Sequence, residues 1–451
     1  MPRLLPALTL SLLLCATVSS AADKETRTVA KGKLGKRIVE WAKSAEAAGF
    51  SGVVFAAKKG TVIAAVGVGS ADLEGERPNT PATRFEIASA TKQFTAAAVM
   101  ILVDKKKIDL DASISTYLPG VPANCKSITV RHLLQHTSGI PGTNSEGSGT
   151  DLARVLPGFL KGGPKHKPGT HWEYWNQGYA LLTEIVARTA GQSYVDVCKA
   201  ALFRPCGMKA SGFTGDTPPK GASVAIGRSS DGPSRSAYEH PYGGYGFQYR
   251  GMGGAVTTAW DLWRWHNALS GKLLSKRARR ELFKPGLNDY ALGWFVKESK
   301  GRLVQSHGGG VRGFICDVRR YPKQDACVFV LCNNDAAPLG VVAQGVEQLL
   351  FGEKLTVSLP RPADPKDVAA LSGTYRDAGG NVLKVGLEGK TLEATLTWTG
   401  GQVTYLVVSR KGRALKISDG SDTYDLSLGA LAKGKASSLS FGKTRYSRAA
   451  D

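Results

Sequence analysis

The chain has 451 residues, 42% of them hydrophobic, which is enough apolar side chain for a large buried core and excludes an intrinsically disordered polymer. Its formal net charge of +22 is spread from Lys24 to Arg448 without a long block of like charges. Such a balance favours polyanionic surfaces such as cell-wall polymers, and with no recognition motif beside it nucleic acid is not an expected partner.

In chain order, the first residues, MPRLLPALTLSLLLCATVSSAAD, combine an early arginine, an apolar run and the small residues Ala21 and Ala22. This is the pattern of a secretory signal peptide, so residues 1–22 are expected to be removed on export to the periplasm or beyond. The run is short for a membrane span, and no later segment is apolar enough to cross a bilayer. With Cys15 set aside, six cysteines remain. They permit disulfides without requiring them, and buried small hydrophobes are the simpler reading.

Residues 30–355 alternate helical and strand patterns without a break and are expected to form one α/β (α+β) domain. GFSGVVFAAKKGTVIAAVGVGSAD reads as a hairpin of two β-rich runs separated by Lys58-Lys59-Gly60. An apolar helix starts near Thr91, and DKKKID from Asp104 is its solvated end. A helix, a stop at Gly191 and a second helix account for YALLTEIVARTAGQSYVDVCKAALF, while AWDLWRWHNAL carries tryptophans at helical spacing and reads as core. A second hairpin runs from GFICDVRRY to ACVFVLCNN across PKQD. The glycine-rich stretch Tyr242 to Gly254 is expected to be a mobile or substrate-facing loop. Residues 356–368, with the prolines of VSLPRPADPKD, read as a linker. Residues 369–451, short strands between glycine turns, read as a small antiparallel barrel or sandwich.

Lys92 stands in the first turn of its helix, where the macrodipole disfavours a cation. Ser89 precedes it by three residues on the same face, so the amine can hydrogen-bond the hydroxyl. Desolvation and the dipole both favour the neutral amine, which would serve as a base for a serine nucleophile. The same spacing recurs at Ser440 and Lys443, where a strand-rich context makes it accidental. Tyr174-Trp175-Asn176 and His307-Gly308-Gly309 add a phenol, an amide and an imidazole beside a glycine-rich strand. Acyl transfer needs such a set: a proton shuttle, a substrate donor and a close backbone approach. His132 and His136 fall four apart on an expected helix but lack a carboxylate partner, so neither a metal nor another cofactor is expected.

Taken in this order, the three motifs resemble the serine β-lactamase and penicillin-binding-protein-like family, especially its class C branch, which also holds esterases, D-aminopeptidases and DD-peptidases. ITVRHLLQHTSGI, GTHWEYWNQGYALLTEIVARTAGQSY, GGAVTTAWDLWRW and YALGW extend the resemblance over roughly residues 30 to 350. It implies a β-lactamase-like sandwich of an antiparallel sheet with an all-helical subdomain. The tail from LSGTY resembles the lipocalin-like barrel attached to some members. The resemblance further implies that Ser89 is acylated with help from Lys92 and from Tyr174, as a phenolate or a relay. Backbone N–H groups of Ser89 and Gly310 would hold the oxyanion, Gly309 would border the substrate and Asn176 would hold a substrate amide. His307 would orient Tyr174 or meet a substrate carboxylate.

Two departures stand out. Trp175 replaces a common serine and is expected to reshape the pocket, and Gly308 replaces a common threonine and is expected to remove a substrate-binding hydroxyl. His307 stands where β-lactam-processing relatives carry lysine, so a neutral ester should be preferred to an anionic penicillin unless Arg312 supplies the charge. The expected protein is an exported serine hydrolase acting on an ester or a D-amino-acid amide or peptide. The alternatives are a β-lactamase or DD-carboxypeptidase and, in another class, a peptidoglycan-peptide or β-lactam sensor without turnover.

Overall fold

Seven strands build one antiparallel sheet: β1 (Val29–Ala30), β2 (Gly52–Lys58), β3 (Thr61–Val68), β4 (Phe295–Ser299), β5 (Arg302–Val311), β6 (Phe314–Tyr321) and β7 (Ala326–Cys332), in the spatial order β1-β3-β2-β7-β6-β5-β4. The structure is a computed structural model that describes residues 24–449 apart from 146–149, 231, 243–245, 361–363, 389–390, 399–400, 412, 419–422, 433 and 442–443. The expected signal peptide lies outside the described residues. Both expected hairpins form, β2 with β3 and β6 with β7, and the centre of the sheet is the pairing of β2 with β7.

β2 and β7 are apolar at almost every position because both faces of the sheet are covered. Val54, Ala56, Val328 and Val330 point to one face, where they pack under α1 (Gly32–Ser44) and a late helix, Leu339–Leu350. The Trp41 indole of α1 donates to the Val342 carbonyl of that helix at 3.1 Å. Val53, Phe55, Phe329 and Leu331 point to the other face and join a second core with α2 (Lys92–Asp104), α3 (Asn176–Ala190) and α4 (Ala259–Ser270). α2 is buried nearly all round, as a helix at the centre of a domain must be. α3 ends at Gly191 in the left-handed conformation, the expected glycine stop.

All six cysteines of the described chain are free, and all but Cys206 are buried. They pack as small hydrophobes. No helix among the described residues is long and apolar enough to cross a membrane.

Beyond the sheet domain a closed antiparallel barrel runs in chain order through β8 (Gly373–Arg376), β9 (Val382–Glu388), β10 (Thr391–Trp398), β11 (Gly401–Lys411), β12 (Ala414–Ser418), β13 (Thr423–Leu428), β14 (Ser438–Phe441) and β15 (Thr444–Arg448). Its core holds Tyr375, Leu383, Leu415, Ile417 and Leu439. The expected linker 356–368 is too long at both ends. Leu359 still packs against the sheet domain, while Pro365–Leu371 is a helix, capped by Asp364, whose Leu371 sits in the barrel core. Pro at its first position and Asp before it start a helix rather than interrupt one.

Candidate active site

Strand Phe85–Glu86 ends at Ile87, and a 3-10 turn, Ala88–Thr91, carries Ser89 to the wall of a cavity of about 350 Å³. Ala88, immediately before the serine, has φ +43°, a left-handed value that strains a residue bearing a Cβ. The turn runs directly into α2, so Lys92 follows Ser89 by about one helical turn and faces it.

Lys92 is 0% exposed. Its Nζ donates to Asn176 Oδ1 at 2.8 Å and to the Met252 carbonyl at 2.8 Å, and lies 3.2 Å from Ser89 Oγ. Burial holds its pKa well below the ordinary lysine value. A neutral amine has two N–H bonds and one lone pair. Asn176 Oδ1 and the Met252 carbonyl can only accept, so they take both N–H bonds and leave the lone pair for the Ser89 hydroxyl.

The Tyr174 hydroxyl is hydrogen-bonded to Ser89, and burial pushes its pKa up to about 12. It is therefore a neutral phenol, which corrects the phenolate expectation and leaves the relay. Asn176 opens α3, and because its Oδ1 faces Lys92 its Nδ2 hydrogens are the donors left for a ligand in the cavity it lines.

His307 is buried, and both ring nitrogens are engaged. Nδ1 lies 2.6 Å from the Gly308 carbonyl, which only accepts, so Nδ1 carries the proton and Nε2 accepts from the Tyr290 hydroxyl at 3.0 Å. Burial, reinforced by Lys92, brings its pKa down to about 3. The expected contact of His307 with a substrate carboxylate is therefore closed. Its ring centroid stands 6.5 Å from that of Tyr174, a packing contact. Gly310 lines the cavity with Ser89, whereas Gly309 does not; a Cβ on Gly309 would collide with the Ile87 carbonyl, so its expected substrate role gives way to close packing behind the nucleophile.

Both expected consequences of the motif departures are also overturned. Trp175 is 1% exposed and donates its indole N–H to the Asn144 carbonyl at 2.8 Å, so it fills the helical core and does not line the cavity. Gly308 alternates with His307 along β5 and lines a different groove with Ser306 and Arg319, so a hydroxyl there would not meet the substrate. Ser440 lies on barrel strand β14, and Lys443 is outside the described residues. His132 and His136 do not share a helix face, because Val130–Leu134 ends between them.

Within the stretch Tyr242 to Gly254, Tyr242, Gly246, Tyr249, Met252 and Gly253 line the cavity, while 243–245 are outside the described residues. Its glycines serve a second purpose. A Cβ on Gly251 would stand 1.7 Å from Thr183 Oγ1, so only glycine lets this segment press on α3 and bring the Met252 carbonyl to Lys92. Tyr249 is held by its hydroxyl, which donates to Glu86 at 2.7 Å, and Glu86 is paired with Arg235 at 2.5 Å. Burial raises the Glu86 pKa to about 7 against the opposing pull of Arg235. Among the described residues lining the cavity there is no lysine, arginine, aspartate or glutamate.

Comparison with known proteins gives concordant findings. Residues 40–350 match the sequence profile of the family described as Beta-lactamase. A penicillin-binding protein of Bacillus subtilis (strain 168) is 31% identical over 365 residues, 74% of this chain and 79% of that protein. The octameric penicillin-binding protein homologue from Pyrococcus abyssi shares the fold with a TM-score of 0.64 at 24% identity, over 92% of this chain and 99% of that one. The D-amino acid amidase from Ochrobactrum anthropi SV3, in complex with D-phenylalanine, gives a TM-score of 0.57 at 25% identity, over 67% and 92%.

Proposed function

The chain belongs to the β-lactamase family, as a hydrolase of the serine β-lactamase and penicillin-binding-protein type, and on that premise we propose that it cleaves a neutral ester or a D-amino-acid amide through an acyl-enzyme on Ser89. The observation that carries this reading is the buried Lys92, whose Nζ stands 3.2 Å from Ser89 Oγ and 2.8 Å from each of two acceptor-only partners.

Lys92 takes the Ser89 proton as Oγ attacks the substrate carbonyl carbon. The carbonyl oxygen becomes an oxyanion held by the backbone N–H groups of Ser89 and Gly310. The leaving oxygen or nitrogen takes a proton from the Tyr174 phenol as the C–O or C–N bond breaks, and the Lys92 ammonium returns the proton it took from Ser89 to the phenolate, which leaves Lys92 neutral again. Water then enters the vacated place, gives its proton back along the same path, and releases the acid and free Ser89. Asn176 Nδ2 donates to a carbonyl of the substrate.

The absence of a lysine, arginine or carboxylate among the described residues lining the cavity, with His307 neutral and out of reach, supports a neutral substrate over a carboxylate-bearing β-lactam. The amidase relative supports the amide branch. The leader-like residues 1–22 support export, and the +22 charge supports association with anionic cell-wall polymers.

The test is a panel of p-nitrophenyl esters, D-alanyl amides and nitrocefin, with Ser89→Ala as control. Steady turnover of an ester or amide, absent from Ser89→Ala, is expected. A single equivalent of product per chain would identify a sensor instead, and undiminished turnover by Ser89→Ala would refute the acyl-enzyme.

A further inference from the structure

One residue outside the three motifs grips Tyr174 from three directions. The backbone N–H of Glu173 donates to the His136 carbonyl at 2.9 Å, and the backbone N–H of Trp175 donates to His136 Nδ1 at 3.1 Å. The Tyr174 ring, between those two bonds, lies on the imidazole with centroids 4.1 Å apart and planes inclined by 34°. The backbone N–H groups one residue before and one residue after Tyr174, and the ring of its phenol, thus all meet a single residue.

His136 is itself held firmly. It is 2% exposed, with the rings of Tyr290 at 4.8 Å, Tyr179 at 5.2 Å and Trp172 at 6.2 Å around it. It takes φ +57° two residues beyond the short helix Val130–Leu134. Histidine is among the few non-glycine residues that enter this left-handed region with some frequency, and the conformation still costs energy. Nδ1 must be unprotonated to accept from Trp175, so the ring is neutral and its proton is on Nε2. That Nε2 is buried and has no hydrogen-bond partner among the described residues. An unmet donor and a left-handed backbone are two costs at one position, tolerated where the surrounding structure fixes the geometry.

We infer that His136 is a positioning residue for proton transfer, fixing the Tyr174 phenol so that its hydroxyl reaches Ser89. The inference rests on the reading of Ser89 and Tyr174 as partners in acyl transfer. His136 is not among the described residues that line the cavity, and its hydrogen bond to Trp175 and its ring contact with Tyr174 are the route by which it acts. A phenol on an unsupported loop samples many orientations, and an error of about 1 Å in a proton-transfer pair costs about a hundredfold in rate.

A double-mutant cycle in the full chain tests it, with p-nitrophenyl acetate as the probe and kcat and KM read separately. His136→Leu removes the Nδ1 acceptor and the ring, and is expected to lower kcat at least ~tenfold with KM within about twofold. In a Tyr174→Phe background the same change should lower kcat by less than about twofold, because the hydroxyl it positions is already gone. His136→Asn tolerates the left-handed backbone and offers Oδ1 to Trp175, so it should fall between His136→Leu and wild type. It carries the cycle if His136→Leu does not fold. Equal losses of kcat in both backgrounds would overturn the inference, as would a wild-type kcat in His136→Leu. A wild-type kcat in Tyr174→Phe would instead remove Tyr174 from the reaction, a failure distinguishable from that of His136.

Discussion

A Cβ built on Gly309 would stand 2.3 Å from the carbonyl oxygen of Ile87 and 3.0 Å from the backbone nitrogen of Ser89. The contact is backbone on backbone, so no rotamer change relieves it. Gly309→Ala must push β5 away from the nucleophile turn, and ester turnover is expected to fall at least ~hundredfold. Gly310→Ala is the control, since its added Cβ meets only Ile315 Cγ2 at 3.8 Å, and its melting temperature should match wild type. Near-wild-type turnover by Gly309→Ala would show that β5 does not set the geometry at Ser89.

Lys92→Arg should lose at least ~hundredfold in kcat/KM, because arginine keeps its proton at every accessible pH. The active form of Lys92 is the neutral amine, and burial lowers its pKa, so kcat/KM should rise with pH and stay level through pH 9. A rate that declines between pH 7 and pH 9 would make the ammonium the active form.

Buried histidines that the fold holds neutral lower its stability in acid, His266 and His307 among them. His266 accepts from Arg320 Nε at 3.2 Å, and burial with the Arg320 charge brings its pKa down to about 3; burial and Lys92 do the same for His307. Between about 6.5 and 3 the unfolded chain binds these protons and the folded chain does not, so stability is full above the unfolded value and falls as pH drops. By pH 5 the loss is about 2 kcal/mol for each. Thermal melts from pH 8 to pH 5 should show a plateau and then a decline, shallower in His266→Gln. A melting temperature constant down to pH 5 would contradict the buried neutral state.

A neutral short-chain ester should exceed an anionic penicillin in kcat/KM by at least ~tenfold, or about 1.4 kcal/mol of transition-state stabilisation. Arg312, whose guanidinium lies 5.6 Å from the ring centroid of Tyr242 at the cavity, is the nearest route to the opposite result. Were penicillin preferred, and the preference lost in Arg312→Ala, that guanidinium would be the carboxylate anchor.

Cutting after Pro360 should leave a soluble domain in which Ser89 still takes a fluorophosphonate label. Leu359 belongs to the sheet domain and Leu371 to the barrel, so the cut divides neither core. Aggregation of the truncated chain where the full chain is soluble would show that the two cores depend on each other.

The candidates Ser89, Lys92, Tyr174 and Asn176 could be picked out of the sequence because each offers a side chain at a spacing that one element fixes. Lys92 follows Ser89 along one turn, and Asn176 opens a helix just after Tyr174. The Met252 carbonyl was not legible, because any residue offers a carbonyl and only the tight packing of Gly251 brings this one to Lys92. His136 was hidden for a related reason: its partners are backbone amides of a segment it meets only in the folded chain. The direction of Trp175 went wrong because a residue just before a helix can turn toward the core or the cleft, and tertiary packing decides. The two hairpins and the barrel followed from strand alternation and turn residues, while Asp364-Pro365 held a helix-start signal that the neighbouring prolines obscured.

The central pairing of the sheet joins β2, near the beginning of the chain, to β7, which lies beyond the residues of all three motifs. During synthesis β2 therefore waits without its neighbour until the chain has grown past Cys332, and closing so long a loop is the slow event expected of non-local strands. Ser89 leaves the ribosome early, but Gly309 and Gly310 arrive late and reach it only when the sheet closes. The order of synthesis thus keeps the nucleophile idle: a partly made chain holds the serine and the lysine without the strand that completes the site, and hydrolysis begins only once folding of the sheet is done.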